Sequence, residues 1–185
     1  LFPYTTLFRS IFKAQLAVSD LDRHLFATHA LTLARHPSET DERMMVRILA
    51  FAIHADERLA FGRGLSAEDE ADLALTDLTG AIDLWIDVGL PDERAIRKAC
   101  GRARRVAVYA YGTGADAWWR QNGEALGRLA NLSVARFDPE STRACARLAA
   151  RNMDLSCTIQ EGHLWLACGD ESLAFAPEIL KSSGA

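Results

Sequence analysis

The sequence predicts one α/β domain in which a compact mixed sheet is flanked by helices. Its 185 residues are enough for one well-buried domain and few for two. Hydrophobic residues make up 49% and charged residues 25%, the balance of an ordinary soluble globular protein. Along the chain, hairpin patterns stand beside strand–helix–strand units, and this combination requires both antiparallel and parallel strand pairs.

In the first half, hydrophobic periodicity and capping residues define the expected elements. Residues 11–18 and 25–33 are extended segments around the polar turn 19–23, a pattern typical of a hairpin. Ser38 is the expected N-cap of a helix that runs to about His54, because three acidic residues follow in its first turn. An acidic segment then leads through a turn at Thr79-Gly80 into the next strand.

The second half alternates strands and helices before a closing hairpin. The strands are expected at 105–111 and 132–137, the helices at 92–102, 115–128 and 139–149, and the hairpin at 155–160 with 163–168.

Residues 80–98 are the most informative stretch, a buried strand that leads directly into a helix start. The two-residue period of a strand places Ile82, Leu84, Ile86 and Val88 on one face and Asp83, Trp85 and Asp87 on the other. A carboxylate in so apolar a run is costly unless a cation or a hydrogen-bond donor meets it. Asp83 and Asp87 therefore belong either to structural ion pairs or to a functional site.

Composition narrows the function classes. The net charge of −4 does not suggest a general nucleic-acid binder, although local basic patches remain compatible with it. The four cysteines form no C-x-x-C pair, which favours free thiols in a reducing cytoplasm. No apolar run reaches membrane-spanning length and no secretory signal opens the chain, so we expect a cytoplasmic protein without a membrane partner.

Residues 1–10 are set apart from the rest. They are similar to an in-frame translation of a common sequencing adapter, and a gene fragment read through it would lack its true start. The alternative is a short native strand. We therefore expect a single domain over residues 11–185, with its first strand truncated near Ile11.

From residue 11 onward the chain resembles the YaeQ family of small bacterial proteins. The segments that carry the resemblance are 31–45, 55–59 (Ala-Asp-Glu-Arg-Leu), 80–99 and 131–134 (Asn-Leu-Ser-Val). It implies a fold built around a variation of the PD-(D/E)xK nuclease core, with added β-hairpins. In that core two acidic residues on neighbouring strands bind Mg²⁺, a lysine two residues after the second acid stabilises charge, and a helical glutamate often completes the site.

Carried onto this chain, the motif has one serious departure. Ala71-Asp72 takes the place of the Pro-Asp pair, Asp87-Val88-Gly89 that of (D/E)-x-K, and Glu42 that of the helical glutamate. Gly89 stands where the motif has lysine, so another cation must replace it. Lys98 is the nearest lysine in sequence and is a weak candidate, because its helix is expected to turn it towards solvent.

Strand geometry selects among the acids. Asp83 and Asp87 share a face but lie about 13 Å apart along the strand, whereas Mg²⁺ needs its oxygen ligands at about 2.1 Å. If Thr79-Gly80 forms the turn, Asp72 instead falls beside Asp87 on the neighbouring strand. Asp83 is then expected to be structural, paired with an arginine such as Arg43 or Arg47.

Two functions follow, and they differ in mechanism. The first is a Mg²⁺-dependent phosphodiesterase acting on nucleic acid, with Asp72, Asp87 and Glu42 as metal ligands, Lys98 as the candidate cation and no organic cofactor. The second is a non-catalytic module that binds nucleic acid or a protein. A basic cluster after the site is either a phosphate-binding stripe or a solvated helix face; its phosphate-binding candidates are Arg97, Arg102, Arg104 and Arg105.

A weaker third interpretation is nucleotide binding. Gly112-x-Gly114-x-x-Ala117 lies between a strand and a helix, and Asp138 follows near the offset of a ribose-binding acid. Trp118 and Trp119 are bulky where such a helix must approach a pyrophosphate, so turn glycines explain the pattern better.

Overall fold

The computed structural model describes residues 9–63 and 69–184, and these ranges contain eleven strands and four helices. The strands are β1 Ser10–Asp20, β2 Leu25–Arg35, β3 Leu59–Phe61, β4 Leu73–Thr76, β5 Ile82–Val88, β6 Ala103–Ala110, β7 Leu132–Arg136, β8 Asn152–Gln160, β9 His163–Cys168, β10 Glu171–Phe175 and β11 Glu178–Lys181. The helices are α1 Asp41–Ile53, α2 Glu93–Arg102, α3 Ala115–Gly127 and α4 Pro139–Ala146. None of the helices in these ranges has the length and apolar character needed to span a membrane.

The strands divide into two sheets. One has the order β10-β9-β8-β1-β2, and the other has the order β11-β7-β6-β5-β4-β3. Both are mixed, because β1 runs parallel to β8 and β5, β6 and β7 run parallel to one another, whereas the remaining pairs are antiparallel. The predicted α/β class with mixed strand pairing is confirmed, although the single predicted sheet is in fact two.

Helix α1 lies at the centre of the molecule. Every residue from Met44 to Ala52 is buried, which is the pattern of a helix enclosed on all sides. Its apolar side chains share one core with the inner faces of both sheets, and α2 and α3 cover the opposite face of the six-stranded sheet with a second core. The side chains from Met44 to Ala52 therefore point into the protein and not towards solvent.

Several predicted boundaries change. Thr40 and not Ser38 caps α1, since its hydroxyl accepts a hydrogen bond from the Arg43 amide at 3.1 Å, whereas Ser38 bonds to the ring of His36. Strands β3, β10 and β11 were missed because three to five residues are too few for a periodic pattern. The adapter-like segment lies outside the described residues up to position 8, and β1 begins at Ser10.

Candidate active site

Asp72 and Asp87 come together at one end of the β4–β5 pair. Leu73 pairs with Ile86, so the next position along this antiparallel register sets Asp72 opposite Asp87. The Asp72 amide nitrogen is 3.4 Å from Oδ1 of Asp87. The connecting turn includes Gly80 at φ +86°, a value that favours glycine.

The four carboxylate oxygens of this pair each accept one hydrogen bond. Arg43 Nη2 donates to Asp72 Oδ1 at 2.6 Å, and the Val88 amide donates to Asp72 Oδ2 at 2.8 Å. Trp85 Nε1 donates to Asp87 Oδ2 at 2.9 Å, and the Asp72 amide supplies the longer contact to Oδ1. Because a carboxylate oxygen has about two acceptor positions, each oxygen keeps one for another ligand.

The surroundings of Asp87 change its proton affinity. Burial, followed by the neighbouring negative charge of Asp72, raises the pKa of Asp87 from 3.8 to about 6. The bonds from Trp85 and the Asp72 amide, and the charge of Arg43, act in the opposite direction. A partly buried carboxylate with a pKa this high beside a second carboxylate marks a candidate functional site.

Arg43 is the cation closest to the acids. Burial disfavours its charged form, but Asp72 and Glu39 outweigh this effect and hold the pKa of Arg43 above its usual value. Glu39 accepts from Arg43 Nη1 at 3.1 Å and from Arg47 Nη2 at 2.8 Å. The side chains of Glu39 and Arg47 are fully buried, so Arg43 is bound to a carboxylate that is itself paired with a second, buried arginine.

The acids open onto a cavity of about 440 Å³ whose wall carries both signs of charge. Its charged and aromatic lining residues are Arg43, Asp69, Glu70, Asp72, Trp85, Asp87, Lys98, Arg102 and Tyr111. Arg102 lies over the Trp85 ring at 5.1 Å and donates to the Asp69 carbonyl at 2.9 Å. The cavity therefore has carboxylates at its base and cations in its wall.

Gly89 has a conformational reason to replace the motif lysine. Its φ is +103°, which side chains other than glycine rarely adopt. An added Cβ would have no contact closer than 4.0 Å, from Tyr111, so the restriction comes from the backbone and not from lack of space.

Lys98 is exposed, in agreement with its predicted solvent-side position, and its side chain also borders the cavity. Its ammonium group forms an ion pair with Asp69, shortly before β4. The side chain is about half exposed and does not reach Asp72 or Asp87 through any described contact.

Glu42 is not brought to the two aspartates. Its Oε1 accepts a hydrogen bond from Thr142 Oγ1 at 2.7 Å, which directs the carboxylate towards α4. Within residues 9–63 and 69–184, no three His, Cys, Asp or Glu side chains form a group able to hold a metal ion. The expected trio of Glu42, Asp72 and Asp87 is therefore a pair, because Glu42 and Arg43 are successive helical residues whose side chains point about 100° apart, and Arg43 is the one that faces Asp72.

Asp83 is structural, but its predicted partner is wrong. Arg104 Nη1 donates to Asp83 at 2.8 Å, since the two residues lie on the same face of adjacent strands, whereas Arg43 and Arg47 are held by Glu39.

The basic cluster does not form one continuous surface. Arg97 pairs with Glu93 at 2.6 Å along α2, and Arg102 belongs to the cavity. Arg104 and Arg105 are successive residues of β6, so they point to opposite faces of the sheet. Of the four predicted phosphate-binding arginines, only Arg102 lines the cavity with the acids.

The acidic residues near the Gly112-x-Gly114 turn have structural partners. Asp116, in the first turn of α3, forms an ion pair with Arg136, and the Asp138 side chain caps α4 by accepting from the Ser141 amide at 3.0 Å. The Asp138 carboxylate, which would have to bind a ribose hydroxyl in the nucleotide-binding interpretation, is thus already engaged in capping α4.

The support for Asp72 was missed in the sequence, although a signal was present. Glu39, Arg43 and Arg47 recur every four residues and therefore share one face of the helix and its entry. Two arginines in a helix that is otherwise apolar on all sides require buried acidic partners. Asp72 and Glu39 are those partners.

Comparison with known proteins places this arrangement in a family. The family model described as "YaeQ protein" matches residues 6–177. The uncharacterized YaeQ protein of Salmonella typhi is 52% identical over 159 residues, which cover 85% of this chain and 88% of that protein. The one of Escherichia coli K12 is 50% identical over the same length and coverage.

Two crystal structures show the same fold. YaeQ from Xanthomonas axonopodis pv. citri has a TM-score of 0.91 at 46% identity, covering 96% of this chain and all of that one. YaeQ from Pseudomonas syringae has a TM-score of 0.91 at 32% identity, covering 95% and 97%. The resemblance inferred from the sequence is confirmed, and the chain belongs to the YaeQ family.

Proposed function

We propose that this chain is a Mg²⁺-dependent phosphodiesterase acting on nucleic acid, with Asp72 and Asp87 as its metal-binding residues. The observation that carries the proposal is the pair itself: a buried and a partly buried carboxylate at the end of adjacent strands, lining a cavity whose wall also carries cations. This geometry agrees with the variation of the PD-(D/E)xK core that the sequence motif implies.

The donor set suits a hard divalent cation. Mg²⁺ prefers carboxylate oxygens and usually binds through one or two of them, keeping several waters. Each oxygen of Asp72 and Asp87 accepts one hydrogen bond and keeps a second acceptor position, and burial followed by the charge of Asp72 raises the pKa of Asp87. When bound, Mg²⁺ would lower the pKa of a water molecule and polarise a phosphoryl oxygen.

Arg43 is a better replacement for the motif lysine than Lys98. Its guanidinium is 2.6 Å from Asp72 and is fixed by Glu39, so it stands at the site before substrate arrives. Lys98 and Arg102 lie farther out in the same cavity wall and suit the flanking phosphates of a strand. Glu42 has no part in this scheme.

Metal binding is tested first, without any assumption about substrate. Mg²⁺ or Mn²⁺ at pH 7.5 should stabilise the wild type against thermal unfolding, by an increment that rises with the logarithm of metal concentration once this exceeds Kd. Asp72→Asn and Asp87→Asn should remove most of that increment. The matched control is Asp154→Asn, a change of the same type at an exposed position on β8.

Cleavage is tested on single- and double-stranded DNA and RNA with either metal. The wild type should cut at least one substrate, and Asp87→Asn and Arg43→Ala should lower the rate at least a hundredfold, whereas Asp154→Asn should not. Metal stabilisation without cleavage of any substrate would refute the catalytic part of the proposal and leave the metal site. If the wild type shows neither stabilisation by metal nor cleavage of any substrate, the proposal as a whole is refuted.

One observation favours a second candidate, a non-catalytic nucleic-acid- or protein-binding module on the same fold. Arg43 already neutralises Asp72, and Gly89 leaves no lysine beside Asp87. If this candidate is correct, binding of nucleic acid should occur without metal. It should weaken steeply with salt, and it should be reduced in an Arg102→Ala variant.

A further inference from the structure

Within residues 9–63 and 69–184, the two sheets end on the same side of the molecule in edge strands that are paired on one side only. β2 is the last strand of the five-stranded sheet and β3 the last of the six-stranded sheet. Between them lies a cavity of about 490 Å³, here called the edge groove. Its lining consists of Thr28, His29, Ala30, Leu31 and Thr32 of β2, Phe51 of α1, Asp56 and Glu57 of the following loop, and Leu59, Ala60 and Phe61 of β3.

β2 lacks the devices that normally protect an edge strand. Its 11 residues pair with β1 in unbroken register, without a bulge. It contains no proline, lysine or acidic residue, and its one charged side chain, Arg35, is at its end. Long, regular and uncharged edges present a row of unpaired amides and carbonyls to another chain, and proteins usually block them. An unblocked edge of this length is therefore a docking surface.

The floor of the edge groove combines aromatic surface with an unsatisfied polar atom. Phe51 and Phe61 stack with their ring centroids 5.5 Å apart, and the His29 ring meets Phe51 edge-on at 5.1 Å. The His29 Nε2 atom is buried, and within the described parts of the chain it has no hydrogen-bond partner. A buried polar atom of this kind favours a ligand that supplies the missing partner.

The rim of the edge groove is acidic. Asp56 accepts from the Arg58 amide at 2.8 Å and forms an ion pair with the Arg58 guanidinium at 3.3 Å, so its charge is compensated. Glu57 is exposed and forms no ion pair with any residue that the structure describes. The one uncompensated negative charge of Glu57 on this rim favours a positively charged ligand.

We propose that the edge groove binds an extended, lysine- or arginine-containing segment of a partner protein, which adds to β2 as a sixth strand. Main-chain hydrogen bonds to β2 would provide affinity, and alternate side chains would enter the aromatic floor. The lined part of β2 matches about five residues of the segment. β3 and the Asp56–Glu57 loop line the far side of the groove, so the added strand would lie between them and β2.

The ligand is identified with a library of random octapeptides displayed on phage. Selection on the wild type, with counter-selection on Ala60→Trp, enriches peptides that need the edge groove, because a tryptophan on β3 fills it. The enriched sequences should contain lysine or arginine and lack proline at their centre. The strongest one is then synthesised with capped ends. Far-UV circular dichroism and urea unfolding check that Ala60→Trp is folded.

The site is located by amide hydrogen exchange and by a matched charge reversal. Bound peptide should slow exchange of alternate amides of β2 at least tenfold, while leaving β10, the opposite edge, unchanged. Glu57→Lys should weaken binding at least fivefold. Asp170→Lys has the same effect on net charge but lies in the β9–β10 turn, and it should change the affinity less than twofold.

Several outcomes would overturn the proposal. These are no enrichment over the Ala60→Trp variant, protection of amides elsewhere than β2, or equal loss of affinity in the two charge reversals. A concentration-dependent dimer that Ala60→Trp abolishes would show that the occupant is a second copy of this chain, which would also refute a peptide ligand.

Discussion

The charge of Asp87 should make the protein less stable at neutral pH than at mildly acidic pH, relative to an Asp87→Asn variant. The folded protein keeps the Asp87 proton up to a pKa of about 6, whereas the unfolded chain releases it near 3.8. Between these values the folded state binds more protons than the unfolded state. The contribution of Asp87 to the free energy of unfolding therefore falls as pH rises through this window.

The size of the effect follows from the same two values. Their separation of about two pH units, at about 1.4 kcal/mol each, corresponds to about 3 kcal/mol. Asparagine has no charge to lose, so the difference in stability between Asp87→Asn and the wild type should shift by about 3 kcal/mol in favour of the variant between pH 3.5 and pH 7. Above pH 6.5 it should then stay constant.

The assay is urea unfolding, followed by circular dichroism at half-unit steps of pH in a buffer without divalent ions. Taking the difference between the two proteins at each pH cancels the titration of all other groups that the substitution leaves alone. Asp154→Asn, exposed on β8, should give a difference that is flat with pH. A flat difference for Asp87→Asn as well would refute the account of the crowded acid pair and weaken the proposed metal site.

Three further predictions concern the support of the site and of the core. Arg47→Met should lower the free energy of unfolding, measured with urea, by about 3–5 kcal/mol, because it leaves Glu39 buried beside a single cation. Adding Glu39→Gln to this variant should recover part of the lost stability. Gly89→Lys, which restores the motif residue, should cost about 1–3 kcal/mol by thermal unfolding because φ is +103° there, and a variant as stable as the wild type would contradict the backbone argument. Tyr109→Phe removes the hydroxyl that lies 2.7 Å from His54 Nε2, and it should lower the free energy of unfolding by about 1–3 kcal/mol at pH 7. The His54 ring is neutral at this pH, because burial, Arg23 and Arg105 lower its pKa to about 4. No loss of stability would mean that a water replaces the hydroxyl.

The sequence placed the two acids side by side because the information for that contact is local. The turn at Thr79-Gly80 brings β4 and β5 side by side, and a register shift between Leu75 and Thr76 then sets Asp72 opposite Asp87. The alternation of faces along β5 is equally local. Both features depend on residues within about fifteen positions of one another, and both follow from strand geometry.

The role of Arg43 could not be found in the same way, because it depends on how α1 lies between the sheets. Its rotation is set by packing against both of them, and a helix that is apolar on every side has no single face to orient it. The same rotation turns Glu42 towards Thr142 and away from the acids. The rotation of α1, which the sequence does not reveal, therefore explains both why the role of Arg43 was missed and why the assignment of Glu42 to the metal site was wrong.

The balance of charge supports the proposal that the acid pair binds a dication. Glu39, Arg43, Arg47 and Asp72 form a buried network of two acids and two bases, which is neutral by itself. Asp87 adds one uncompensated negative charge next to it, and a proton taken up near pH 6 removes that charge. A divalent cation would do more than a proton, since it would leave the site with one net positive charge, the complement of a single phosphodiester group. Removing Arg43 should therefore weaken the binding of phosphate more than the binding of Mg²⁺, whereas removing Asp87 should weaken the binding of Mg²⁺ first.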